Sequence, residues 1–112
     1  MQVGFFYGAS QDGGSRCGDG VVLKLNNLVS FKLKIKCVSG TNTRGELLAL
    51  WSLLFFAMRK QILNLQIMGD SKVIINWFSN RCNIQVASLE NWQQKIRSLS
   101  SNFTILKAQH VH

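Results

Sequence analysis

Thr43-Arg-Gly-Glu-Leu-Leu-Ala-Leu-Trp-Ser-Leu-Leu-Phe-Phe-Ala-Met-Arg-Lys60 is the run around which the rest of the chain is organised. Leu47, Leu50, Leu54 and Ala57 recur at helical spacing, the period of a helix with one face turned to a core. Thr43 and Glu46 match the pattern in which a hydroxyl caps the helix start and a carboxylate three residues later bonds back to it. A helix over 43–60 is therefore expected. Trp51, Phe55 and Phe56 fill its other faces, so it should be buried nearly all round.

Upstream of it, the small, aromatic and β-branched residues from Val3 to Ala9 read as a strand that runs into the turn formers Ser10-Gln-Asp-Gly-Gly-Ser15. Gly18 to Leu25 reads as a second strand, Asn26-Asn27 as a tight turn and Val29 to Cys37 as a third strand, together an antiparallel meander. In the third, Phe31, Leu33 and Ile35 alternate with Lys32, Lys34 and Lys36. A period of two places the apolar set on one face and the lysines on the other. The lysine face is explained as well by solvation, or by an edge strand guarded against aggregation, as by a ligand.

Downstream, Leu63 to Met68 is a short apolar strand halted by Gly69-Asp70-Ser71, after which Val73, Ile74, Trp77 and Phe78 take up helical spacing. A third helix over 89–99 carries Trp92, Ile96 and Leu99 inward, and Phe103 to Val111 reads as a last strand. The order βββαβααβ implies an α/β fold on a mixed sheet. The 112 residues suit one domain, and 46% hydrophobic with 16% charged residues excludes a disordered chain. No internal repeat, linker or low-complexity segment breaks it.

Thirteen Lys and Arg against five Asp and Glu leave a net charge of +8, which favours a polyanionic partner. Cys17, Cys37 and Cys82 are odd in number and lack paired short spacing, so neither a disulfide framework nor a zinc site is suggested and a reducing compartment fits. Met1-Gln-Val-Gly-Phe-Phe6 has no basic leader, and the longest apolar stretch, Leu47 to Met58, is too short to span a bilayer. An intracellular monomer in nucleus or cytoplasm, without a membrane partner, is expected.

Hydrolysis of a phosphodiester by two cations needs several carboxylates converging from separate segments. Glu46 opens the first helix, and Asp70 sits where the fourth strand turns into the second helix. Taken singly, each is explained by helix capping or by the helix dipole. Asp12 and Asp19 lie among glycines as turn residues, and Trp77 and Trp92 sit at core spacing.

Taken together and in order, four blocks say more. Phe5-Phe-Tyr-Gly-Ala-Ser-Gln11, Gly40-Thr-Asn-Thr-Arg-Gly-Glu-Leu-Leu-Ala-Leu50, Leu65-Gln-Ile-Met-Gly-Asp-Ser-Lys72 and the closing Gln109-His-Val111 resemble the ribonuclease H domain of plant retroelements, associated with reverse transcriptase. The resemblance covers essentially the whole chain. It implies a ribonuclease H-like fold with a five-stranded mixed sheet, three antiparallel strands followed by two parallel ones, flanked on both faces by helices. It also implies a Mg²⁺-dependent endonuclease that cuts the RNA of an RNA/DNA hybrid. Under it, Glu46 and Asp70 match the second and third metal-binding acids, and His110 matches a histidine that assists proton transfer or product departure. Gly8, Ala9, Ser10, Gln11, Asn42, Arg44 and Ser71 would line the nucleic-acid groove.

Two departures stand against catalysis. Where the family places its first acid, in Phe-Asp-Gly-Ala-Ser, this chain has Tyr7, and a neutral phenol lacks the charge and geometry of a bridging carboxylate. The family also continues past its last strand with a loop, an Ala-Asp pair bearing a fourth acid and a terminal helix, whereas this sequence ends two residues after His110. The expectation is therefore one ribonuclease H-like domain over 1–112, short at its C-terminus, holding at most one weakly bound Mg²⁺. It would bind nucleic acid, chiefly RNA/DNA hybrid, with impaired catalysis. An active Mg²⁺-dependent hybrid nuclease and a degenerate fragment with an exposed apolar face are the alternatives.

Overall fold

A computed structural model describes residues 1–11, 16–25, 30–36 and 42–111. Five strands, β1 (Gln2–Gln11), β2 (Arg16–Lys24), β3 (Ser30–Lys36), β4 (Asn64–Gly69) and β5 (Ile105–His110), form one sheet in the order β3-β2-β1-β4-β5. β1, β2 and β3 are joined antiparallel, whereas β4 runs parallel to β1 and β5 parallel to β4. The helices are α1 (Asn42–Arg59), α2 (Lys72–Phe78) and α3 (Glu90–Ser100), the last preceded by a 3-10 turn over Ala87–Leu89. The expected order βββαβααβ is the order found.

Strand alternation decides where the core lies. Phe6 of β1, Val21 and Leu23 of β2, and Leu65 and Ile67 of β4 are buried in a single cluster with Leu47, Leu50, Leu53 and Leu54 of α1. Ile74 and Ile75 of α2 and Ile96 of α3 join that same cluster, so all three helices lie on one face of the sheet. α1 rests directly on β1, since a Cβ at Gly4 would come within 2.6 Å of Leu53 Cδ1. Helices on both faces, as the resemblance implied, are not found among the described residues. The side chains of the opposite face, among them Val3, Phe5, Val22 and Met68, are only half-buried.

Local expectations differ at element ends. α1 begins at Asn42, so Thr43 lies inside the first turn and is not the N-cap that the capping pattern suggested. β5 starts at Ile105 rather than Phe103, because Phe103 packs against the core cluster instead of joining the ladder. α1 ends in a Schellman motif: Ile62 N–H donates to Ala57 O, Gln61 N–H donates to Met58 O, and Gln61 takes φ 61°. α2 ends in the same way, with Arg81 N–H to Asn76 O, Asn80 N–H to Trp77 O, and Asn80 at φ 63°. Asp12, the Asn26-Asn27 turn, Val29, Cys37, Gly40 and Thr41 lie outside the described residues.

Arg97 ties α3 to the end of α2. Its guanidinium donates to the Trp77 and Phe78 carbonyls at 2.8 and 2.9 Å and to Asn80 Oδ1 at 3.0 Å. It also stacks 4.4 Å from the Trp77 ring centroid, and its burial pushes the guanidinium pKa down from its ordinary value. These bonds give the Phe78 carbonyl a donor and add a second one to the Trp77 carbonyl, which already accepts from Asn80 N–H.

Candidate nucleic-acid interface

Parallel pairing brings the ends of β1, β4 and β5 to one edge of the sheet. Gly69 pairs with Phe6 on one side and with His110 on the other, so the next residue, Asp70, emerges between the two flanking strands. Ser71 N-caps α2, its hydroxyl accepting from Ile74 N–H at 3.3 Å. The strand therefore has to stop and turn where Asp70 stands, which leaves this carboxylate exposed.

Asp70 is held across the gap by backbone. Its two carboxylate oxygens accept from the Gly8 N–H at 3.2 and 3.3 Å. His110 Nε2 lies 3.2 Å from the Asp70 carbonyl oxygen, and an acceptor there requires the proton on Nε2. Val111 N–H donates to Gly69 O at 2.9 Å, which keeps the end of β5 alongside. Gly8, Asp70 and His110, three of the expected site residues, are thereby brought together from three strands.

Tyr7 points elsewhere. A Cβ on Gly20 would fall 2.2 Å from Tyr7 Cζ and 2.3 Å from its hydroxyl oxygen, so the ring lies over β2. Asp70 is on the other side of β1. Gly20 is opposite Tyr7 in the antiparallel register, and only a residue without a Cβ leaves room for the ring. The sequence reading missed Gly20 because its signal is a pairing between strands, which composition and period do not contain.

Glu46 is half-buried at the start of the second turn of α1, one residue before the core residue Leu47. Arg44 is exposed in the first turn, and Asn42 is the first residue of the helix. Ala9, Ser10 and Gln11 continue β1 opposite Gly18, Cys17 and Arg16; their side chains, like those of Asn42 and Asp19, are outside the described residues.

Among the described residues the donor set does not fit a pair of divalent cations. Among the described residues, no group of three or more His, Cys, Asp or Glu could hold a metal ion. Both oxygens of Asp70 face the Gly8 amide, and the phenol that occupies the first-acid position is turned over β2. Hard cations of this kind are held by several oxygens, predominantly charged ones. Among the described residues, the edge offers instead the Asp70 carboxylate, the His110 imidazole and open backbone in a chain of charge +8.

A family profile described as "Reverse transcriptase-like" matches residues 8–112. Among solved structures, the N-terminal RNase H domain of a Mycobacterium tuberculosis protein is similar with a TM-score of 0.82 at 22% identity, over 99% of this chain and 86% of that one. RNase H1 from Halobacterium salinarum gives 0.79 at 21%, over 98% and 84%. LC11-RNase H1, solved in complex with an RNA/DNA hybrid, gives 0.77 at 19%, over 99% and 85%. These likenesses establish the ribonuclease H-like fold. No curated protein matches the chain.

Proposed function

From the premise that this chain belongs to the reverse transcriptase-like family, we propose that it is a retroelement-derived ribonuclease H-type domain that binds nucleic acid, chiefly RNA/DNA hybrid, with catalysis impaired. The observation that carries this reading is Tyr7, a neutral ring laid over Gly20 where a ribonuclease H site would place a bridging acid. Removing that charge should cost several kcal/mol of transition-state stabilisation, about a thousandfold or more in rate. Glu46 and Asp70 together would hold at most one Mg²⁺, weakly.

Binding has separate support. Its affinity comes mainly from Lys and Arg neutralising phosphates, with backbone and small polar groups setting the register on the duplex. The net charge of +8 supplies the first, and the groove residues Gly8 to Gln11, Asn42, Arg44 and Ser71 supply the second. The LC11 relative carries an RNA/DNA hybrid in its structure, which supports hybrid as the ligand here. The closed core under α1 favours a folded binding module over a degenerate fragment. The domain acts as a monomer in the nucleus or cytoplasm; no helix is long and apolar enough to cross a membrane among the described residues.

Two measurements test the reading. Hybrid cleavage in Mg²⁺ should run about a thousandfold or more below an intact hybrid ribonuclease assayed alongside, and rates within tenfold of it would restore the active nuclease. Hybrid affinity, followed by filter binding, should fall steeply with salt and persist when Mg²⁺ is chelated. No affinity even at low salt would sink the binding claim.

A further inference from the structure

The loop that joins α2 to α3 leaves a cleft that the proposed function does not use. It spans about 350 Å³ between Asn83, Ile84, Gln85 and Val86 of the loop and Glu90 and Gln93 of α3. Glu90 and Gln93 stand three apart on the helix and so share one face. Gln93 Nε2 donates to Ile84 O at 3.0 Å, which ties the loop to the helix and leaves Gln93 Oε1 as an acceptor. The Glu90 carboxylate makes no hydrogen bond or ion pair among the described residues, although the chain carries thirteen Lys and Arg. Val86 adds an apolar wall that is 47% exposed.

Acceptors beside an apolar wall call for a flat ligand with adjacent donors, and the cleft is large enough for one nucleoside. Guanine alone among the bases carries two neighbouring donors, N1–H and the 2-amino group, on its pairing edge. Adenine and cytosine set a ring acceptor beside the amino group, which would face the carboxylate. A carboxylate accepts a pair of donors with its two oxygens. We infer that this cleft binds an unpaired guanine, with Glu90 and Gln93 Oε1 accepting from N1–H and the amino group, the Asn83 and Gln85 amides available to O6, and Val86 against the ring. Pairing occupies that edge in a duplex, so the ligand is a single strand continuing past the bound hybrid, and the inference rests on the nucleic-acid reading above. Four residues, 101–104, join α3 to β5, so α3 runs back from the start of β5 and its first turn lies toward the end of the sheet where Gly8, Asp70 and His110 meet. A cationic side chain of a partner protein would also suit the acceptors, but a chain of charge +8 repels cations and attracts a polyanion.

The probes are fluorescein-labelled RNA/DNA hybrids of one duplex sequence, either blunt or extended at both ends of the DNA strand by thymidine tails in which alternate bases are guanine, hypoxanthine or adenine. Anisotropy with the full chain in EDTA should show guanine tails binding about tenfold more tightly than adenine tails, with hypoxanthine, which lacks the amino group, close to adenine. Glu90→Gln should abolish the preference while blunt-hybrid affinity stays within about twofold, since one exposed charge is largely screened, and the melting curve is unchanged. Guanosine monophosphate should shift the amide resonances of Ile84, Val86 and Gln93 in the unmodified chain and leave them in place in the Glu90→Gln variant. Equal affinity for the three tails alongside firm blunt-hybrid binding, or a preference that survives Glu90→Gln, would overturn the inference and leave the proposed function standing. Shifts at the cleft with no affinity for any hybrid would support the guanine site and sink the proposed function instead. Shifts there with a blocked arginine peptide and none with guanosine monophosphate would overturn the inference, marking the cleft as a seat for a partner's cation.

Discussion

Phe5 and Phe6 are adjacent and chemically identical, yet Phe6 is 1% exposed beneath the helices while Phe5 stands half-buried beside Lys24 on the bare face. The same division runs through the sheet. Leu65 and Ile67 are in the core, whereas Gln66 and Met68, which alternate with them, are not. A side chain's worth to stability is thus set by the parity of its position in the strand, because among the described residues only one parity has a helix to pack against.

Truncation of the two phenylalanines should break that comparison most visibly. Phe6→Ala is expected to cost about 3–5 kcal/mol and Phe5→Ala under about 1.5 kcal/mol, read from urea unfolding of each variant. Equal costs would mean that the second face is covered in solution. A smaller effect is expected on the bare face at Gly20. Gly20→Ala drives a methyl into the Tyr7 ring and should cost about 1–2 kcal/mol, most of which is recovered when Tyr7→Ala is added. Strict additivity of the two changes would show that the ring already moves aside without strain. The smallest effect belongs to the covered layer, where Gln61 holds φ 61° at the end of α1. Gln61→Gly should stabilise by about 1 kcal/mol, since a residue with a Cβ is strained in the left-handed region. A thermal melt shifted upward by about 4 °C would agree, and a lowered midpoint would show that the Gln61 side chain contributes more than its backbone costs.

Much of this division was legible beforehand. The alternation of β3, the helical spacing from Leu47 to Ala57 and the halt at Gly69-Asp70-Ser71 each report a local period, and a local period is what burial of one face writes into a sequence. Element order, the mixed sheet and the positions of Glu46, Asp70 and His110 on helix start, strand end and last strand followed from it. The rest depends on contacts distant in sequence. That Asp70 reaches the Gly8 amide, and that Tyr7 leans over Gly20, requires knowing which strand lies beside which and in what register. The left-handed turn at Gln61 carried no glycine to announce it, and the 3-10 turn over Ala87–Leu89 is too short to carry a period.

The placement of β1 between β2 and β4 also sets a timetable for the newborn chain. One edge of β1 is closed by a neighbour that follows within a few residues, but its other edge waits for Leu65 to Gly69, so the ribosome must release β2, β3 and α1 before that edge is satisfied. Throughout that interval a strand rich in aromatic residues presents an unpaired ladder of amides and carbonyls, the kind of edge on which nascent chains aggregate. Slow translation ahead of Leu65 would lengthen this exposure, and chaperones that shield open strand edges would act on this chain chiefly before β4 emerges.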